Sequence, residues 1–252
     1  MRFTATLAAL ALSLCSFAAF GSHDSRITDS SESNYDFRAG STLTVETFNG
    51  SIRVRGGDDS RVHVVAQKYV RSDDPDDARA TMAALNVQVS HDNGGLVLRA
   101  PHPPRDGVRE TGVTFEITMP RSADLRLVTT NGEIEVEDVR GDDKLHTTNG
   151  RITVSRGDGS VDAETTNGAI RVELVNVTPS RPLRFVTTNG SITLNLPQSL
   201  SADVDASTTN GSIHNDLPIV ASKVDRTRML GRINGGGTEL RAHTTNGSIT
   251  IR

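Results

Sequence analysis

Val161-Asp162-Ala163-Glu164-Thr165-Thr166-Asn167-Gly168-Ala169-Ile170-Arg171-Val172 is the stretch that decides the fold. Apolar and polar residues alternate on both sides of Asn-Gly: Val161 and Ala163 before it, Ile170 and Val172 after it. Strict alternation marks half-buried strands, because successive side chains of a strand point to opposite faces. Asn-Gly between two such runs is a turn.

The box is not alone. Asn-Gly-x-Ile recurs at Asn49, Asn131, Asn149, Asn167, Asn189, Asn210 and Asn246, and Thr-Thr precedes all but the first, which has Thr47-Phe48. From Asn131 onward the spacings are 18, 18, 22, 21 and 36 residues. The last is two periods, and Leu230-Gly231-Arg232-Ile233 reads as a degenerate copy in the gap. Six residues before each Asn stand Leu43, Leu125, Val161, Leu183, Val204 and Leu240, with Asp143 the exception. Three after it is always Ile, and five after it is apolar except at Asn215.

Two architectures fit an all-β chain of this kind. Asn-Gly could close type I′ hairpins in an antiparallel meander or sandwich. It could instead form one corner of a single-stranded parallel β-solenoid, each coil stacked on the last. A hairpin needs only Asn-Gly. Stacked coils also explain the repeated Thr-Thr and Ile, because like residues then lie about 4.8 Å apart and can bond in ladders. The solenoid is therefore preferred, with Asn bonding Asn, Thr bonding Thr, and Gly supplying a positive φ at the corner. The turn ladder comprises Asn131-Gly132, Asn149-Gly150, Asn167-Gly168, Asn189-Gly190, Asn210-Gly211 and Asn246-Gly247. On this reading, losing Asn167 from a middle coil costs more stability than losing Asn49 from the first.

Residues 36–120 differ from the repeats at 121–252. Residues 61–70 read as a strand, followed by the one helix of the chain. Asp74 caps that helix, Pro75 suits its first position, and Ala78, Met82 and Leu85 form its buried stripe. Strands follow at 87–90, 96–99 and 113–119, separated by a polar loop over 101–111. This block is read as a cap over one end of the stack. The other end, at Ile251-Arg252, shows no cap. Residues 22–35 are rich in Ser, Asp and Glu and read as a flexible leader.

Residues 1–21 read as a signal peptide: Arg2, an apolar run over 3–20, and Ala19-Phe20-Gly21 as the cleavage site. The second reading is a lipoprotein signal at Cys15, the only cysteine. No later stretch is apolar enough for a transmembrane helix. The chain is thus expected to be exported, to the periplasm or cell surface. A net charge of -4 gives no electrostatic case for nucleic acid. Aromatic content of 4% points to thin layers of Val, Ile, Leu and Thr rather than an aromatic-centred globule.

Candidate chemistry is sparse. Glu133, Glu135 and Glu137 face outward on one strand, where acids of a carbohydrate-active β-helix would sit, but Arg151 and Arg171 on neighbouring coils suit ion pairing better. His63, His91, His102, His146, His214 and His243 lack ligand spacing, so no metal or cofactor is expected. Arg-Gly-Asp occurs at Arg140-Gly141-Asp142 and Arg156-Gly157-Asp158, both at the coil edge opposite Asn-Gly, where a turn is expected anyway.

The opening Phe48-Asn49-Gly50-Ser51-Ile52-Arg53-Val54, then Val62-His63-Val64, the Asp-rich helix and the serial Thr-Thr-Asn-Gly-x-Ile boxes resemble the bacterial "putative adhesin" family of β-strand-repeat proteins. The resemblance covers residues 36–252. It implies an exported, non-catalytic β-solenoid and supplies no catalytic residues. The expected role is a non-enzymatic adhesin or binding module whose partner is a protein or glycan of the cell envelope. An envelope-stress accessory binding a membrane partner through the free end of the stack is the second expectation, and a carbohydrate-active enzyme the third.

Overall fold

The computed structural model describes residues 25–102 and 108–252. The signal-peptide reading, the Cys15 alternative and the start of the expected leader lie outside the described residues.

In chain order the elements are β1 (Ser25–Asp36), β2 (Thr42–Asn49), β3 (Ile52–Gly57), β4 (Arg61–Ser72), α1 (Pro75–Ala84), β5 (Gln88–Asp92), β6 (Gly95–Ala100) and β7 (Glu110–Pro120). There follow β8 (Asp124–Asn131), β9 (Ile134–Glu137), β10 (Arg140–Asn149), β11 (Ile152–Asn167), β12 (Ile170–Val177), β13 (Leu183–Asn189) and β14 (Ile192–Asn195). The last are β15 (Ala202–Asn210), β16 (Ile213–Asn215), β17 (Ile219–Val224), β18 (Arg228–Ile233), β19 (Thr238–Asn246) and β20 (Ile249–Ile251).

These strands make one mixed, mostly parallel sheet that curls into two walls. The strands before each Asn-Gly form the first wall: β6, β2, β8, β10, β11, β13, β19 and β15 run parallel in that order. The strands after it form the second: β7, β3, β9, β11, β12, β14, β20 and β16. The strand β11 belongs to both, since its first residues pair with β9 and its last with β10 and β13. The two strands of a box pair with neighbouring boxes, not with each other, so the hairpin alternative is excluded. Registers match residue for residue, Asn149 with Asn131 and Asn167, Ile152 with Ile134 and Ile170.

The alternation then does what the sequence requires. Leu43, Val45, Ile52 and Val54 of the first box, and Leu183, Phe185, Ile192 and Leu194 of the fifth, are buried in one continuous core. Asp143, the exception in the apolar column, is buried as well, between Leu125 and Val161 of the adjacent strands.

The cap of residues 36–120 has the elements expected. The helix is capped by Asp74, whose carboxylate accepts from the Asp76 amide, and it buries Ala78. The strand β7 flanks β3, β6 flanks β2, and β4 and β5 extend those edges in antiparallel fashion. Three expectations fail. The segment expected to be a flexible leader is strand β1, paired with β4 over its whole length. Its polar sequence hid this because only Ile27 and Tyr35 reach the core. Second, residues 230–233 are not a degenerate box. They lie in β18, which runs antiparallel to β15 and β17, after a turn in which the Asp225 carboxylate accepts from the Thr227 and Arg228 amides. That hairpin caps the far end, with Thr208 and Ile213 donating to the carbonyls of Thr227 and Arg226. The far end is therefore not bare. Third, boxes do not stack in chain order: β19 inserts between β13 and β15, so the rungs run 49, 131, 149, 167, 189, 246, 210.

Candidate functional site: the Asn-Gly ridge

Each box contributes one rung to a ridge along the corner between the walls. Asn131 donates from Nδ2 to Oδ1 of Asn49 at 2.6 Å, Asn149 to Asn131 at 2.7 Å, and Asn167 to Asn149 at 2.8 Å. Asn189 donates to Asn167, Asn246 to Asn189 and Asn210 to Asn246, at 2.8, 2.7 and 2.8 Å. Asn49 ends the series on the carbonyl of Thr111 at 2.9 Å. All seven amides point the same way, an arrangement in which each bond polarises the next. The expected asparagine ladder is present at every one of the predicted positions.

The threonines behave differently from expectation. The first Thr of each pair is buried and donates to a glycine carbonyl on the adjacent rung, not to another Thr. Thr129 reaches Gly50, Thr147 Gly132, Thr165 Gly150, and Thr187 Gly168, at 2.9–3.0 Å. Thr244 and Thr208 reach Gly190 and Gly247 at 2.8 Å. Thr47 fills the role in the first box, bonding Val113. The signal was in the alignment: Thr stands two before Asn in all seven boxes, whereas the next position tolerates Phe48.

Glycine is needed for closeness, not for a left-handed backbone. Of the seven ridge glycines, only Gly50 and Gly247 have φ in the positive range, at +132° and +158°. At every ridge glycine an added Cβ would collide with the backbone of the adjacent rung. At Gly132, Gly150, Gly168, Gly190 and Gly247 it would lie 2.5 Å from that rung's carbonyl carbon. Ordinary carbon contacts are about 3.5–4.0 Å.

The second Thr of each pair faces outward. In rung order these are Thr130, Thr148, Thr166, Thr188, Thr245 and Thr209, half-buried or exposed. None of the six hydroxyls makes a hydrogen bond within the described residues. Phe48 takes their place at the near end and meets the His102 ring edge-on at 4.6 Å.

The outward face of the second wall is laced by ion pairs between rungs. Arg53 holds Glu135 at 2.5 Å, Arg151 holds Glu133, and Arg55 and Arg156 share Glu137. Hydrogen bonds from Arg156 and then Arg55 hold the Glu137 carboxyl below the usual carboxylate range. Arg156 does the same to Asp138. Exposed pairs of this kind add little to stability, because water and salt screen them. The three glutamates considered as catalytic acids are thus each committed to an arginine.

The remaining sequence candidates do not converge. His63 lies against Asn34 and Glu32, His214 against Asp216, and His243 against Ser207. Among the described residues no group of three His, Cys, Asp or Glu is placed to hold a metal. The Arg-Gly-Asp motifs lie at the corner opposite the ridge and bind one another. Arg140 of the first donates to Asp158 of the second at 2.7 Å, Asp142 accepts from Ser160 and pairs with Arg181, and Arg156 is held by Asp138. No described helix is long and apolar enough to cross a membrane.

Residues 42–252 match a family model described as Toastrack DUF4097. No curated protein matches the chain. Among solved structures, a "putative cell adhesion protein" from Clostridium sporogenes ATCC 15579 is 11% identical over 90% of this chain and 99% of that chain, with a TM-score of 0.45. A "putative adhesin" from Bacteroides fragilis NCTC 9343 is 12% identical over 90% of this chain and 96% of that chain, with a TM-score of 0.44.

Proposed function

This chain belongs to the Toastrack DUF4097 family, and from that premise we propose that it is an exported, non-enzymatic binding module of the cell envelope. The observation that carries the proposal is the ridge. Six outward threonine hydroxyls stand at the rung spacing of about 4.8 Å with no partner among the described residues, on a corner locked by buried Thr-to-glycine bonds and an asparagine ladder. A rigid row of free donors and acceptors costs little to order on binding. It suits a partner with its own regular polar groups, either a glycan chain or an extended protein segment. We read the parallel rungs as coils of a solenoid closed at one end by the antiparallel strands β1, β4 and β5 and at the other by the β17–β18 hairpin.

The non-enzymatic part rests on the outward carboxylates. General acid–base catalysis calls for two groups with separated affinities for protons. Glu137 and Asp138 are both driven toward the ionised form by Arg156. Export rests on the leader pattern of residues 1–21, and places the ridge where envelope glycans and proteins are the available partners.

The test is a binding screen of the chain purified after export, against arrayed glycans and envelope proteins. A variant with Thr148, Thr166 and Thr188 all changed to Val keeps shape and removes three hydroxyls. Capture by the parent and binding about tenfold weaker by the variant, at equal melting temperature, is the expected result. Undiminished binding by the variant would move the site off the ridge. Release of sugar fragments by the parent would refute the non-enzymatic reading.

A further inference from the structure

The two ends of the sheet are finished differently. At the far end the outermost strand β17 carries a register shift between Ala221 and Lys223. A bulge and a lysine are the devices by which edge strands avoid pairing with other chains. At the near end the outermost strand of the second wall is β1. It runs for 12 residues with no Pro, Gly, Lys or bulge, in unbroken register from Ser25 opposite Ser72 to Asp36 opposite Arg61. Its other edge has no partner among the described residues. Its charges, Arg26, Asp29, Glu32 and Asp36, restrict what can pair with it, but a long, regular edge remains a template for a strand of complementary charge.

The sequence of β1 says which strand fits. Arg26, Thr28, Ser30, Glu32, Asn34 and Asp36 face out, and Ile27, Asp29, Ser31, Ser33 and Tyr35 face in. In an antiparallel pair of identical strands only residues of the same parity can meet, because alternate residues offer their N–H and C=O to the same edge. Centring the pair on Ser31 sets Arg26 opposite Asp36, Ile27 opposite Tyr35, Thr28 opposite Asn34, Asp29 opposite Ser33, and Ser30 opposite Glu32. Centring it on Glu32 or Asp29 would set a carboxylate against its own copy.

The charges that meet in the Ser31-centred register are also available. Arg26 lies over the Tyr69 ring at 5.4 Å and has no carboxylate partner among the described residues. The Asp36 side chain is 95% exposed and pairs with Arg61 at 3.2 Å, an exposed contact that leaves room for a second cation. On the inner side a cleft of about 250 Å³ opens between β1 and β5, lined in part by Ser33, Tyr35, Val87 and Val89. Val89 is 40% exposed there.

We propose that β1 pairs antiparallel with β1 of a second copy of this chain about a two-fold axis at Ser31, joining two stacks at their near ends. The axis stands normal to the second wall, and because β1 lies one strand beyond the level of β5, the clefts beside Val89 in the two copies open toward each other across the joint. Such an interface is isologous, and each Arg26–Asp36 pair is made twice.

Sedimentation equilibrium on the chain purified after export reads the mass directly, and a dimer is expected. Asp36→Arg should weaken it about tenfold, and adding Arg26→Asp to that variant should recover most of the loss. Single cysteines in a Cys15→Ser background read the register. Ser31→Cys lies about 5.5 Å or less from its copy in Cα position and should form a disulfide-linked dimer on mild oxidation. Thr28→Cys lies about 20 Å from its copy and should not. A monomer across the concentration range overturns the proposal and leaves the β1 edge to a strand of some other protein. A dimer indifferent to Asp36→Arg, or equal crosslinking at positions 28 and 31, also overturns it.

Discussion

Replacing Gly168 by Ala separates the two reasons a corner could need glycine. If only a left-handed backbone were required, the change would cost about 1–2 kcal/mol, and Asn, which tolerates that backbone, would cost less than Ala. The structure gives a different reason and a larger number. The new Cβ would stand 2.5 Å from the carbonyl carbon of Gly150 and 3.1 Å from the Arg151 amide. The Gly150 carbonyl oxygen is closer still, so restoring ordinary contact of about 3.5 Å means parting the rungs by more than about 1 Å. Four bonds span that gap. They are Asn167 to Asn149, Thr165 to the Gly150 carbonyl, and the amides of Gly150 and Ile152 to the carbonyls of Asn167 and Ala169. At about 1 kcal/mol each, losing most of them costs about 3–4 kcal/mol. Chemical unfolding followed by circular dichroism measures it, with Gly235→Ala as the control. Gly235 has φ +88° and open space around its Cβ position, so only the backbone cost applies there. A Gly168→Ala loss no larger than the Gly235→Ala loss, or a milder Gly168→Asn, would refute close approach as the cause.

Other outcomes follow from the same geometry. Thr187→Val leaves the Gly168 carbonyl without its buried donor and should cost about 1–3 kcal/mol, while Thr188→Val, one residue on and facing out, should stay within about 0.5 kcal/mol; urea midpoints of the two decide it. Asn167→Ala removes two ladder bonds and Asn210→Ala one, so the first should lower the melting temperature more. Asn49 also holds two, through Asn131 and the Thr111 carbonyl, so its loss should match that of Asn167 rather than fall below it as the sequence alone suggested. Asp143→Val should stabilise the chain by about 1–3 kcal/mol near neutral pH, since Asp143 Oδ1 is buried with no partner. Burial, helped by Asp124 and Asp142, pushes the Asp143 carboxyl well up, so the folded chain keeps its proton where the unfolded chain releases it. The cost of keeping that proton is therefore absent below about pH 4, where the unfolded chain is protonated too, and it grows as pH rises toward the folded value. Melting curves from pH 4 to 7 should show the gap between parent and Asp143→Val widening, and a constant gap would count against a buried neutral carboxyl.

The repeat made the corner legible. Asn, Gly and the invariant Ile each occupy a position where identical neighbours meet, and a stacked lattice writes that meeting into the sequence once per rung. The parallel walls, the helix at Asp74 and the strands of the cap followed from periodicity and capping chemistry. What escaped has physical reasons. Two adjacent threonines look alike in sequence, yet strand alternation sends Thr165 into the core and Thr166 to solvent. The polar β1 conceals a strand because one face meets solvent and the other gives only Ile27 and Tyr35 to the core, with Ser31, Ser33 and Tyr35 lining a cleft. Residues 228–233 share the spacing of a box but lack the Asn-Gly corner, and the Asp225 turn reverses them instead. Rung order is set by connections rather than by period. Asn234, Gly235, Gly236 and Gly237 all have positive φ and carry the chain back to where β19 begins.

That swapped order of the last two rungs has a consequence for assembly. In an ordinary repeat array each new coil docks on the one before it, so the molecule can zip up as the chain is made. Here β13 must wait for β19, more than forty residues later in the chain, while β15 and its hairpin already exist with nowhere to settle. The far third of the sheet can close only when residues 238–251 slide in as a keystone. Shortening the chain by that segment would therefore remove an inner course and not the outermost one, stranding β15 to β18 from the body of the protein.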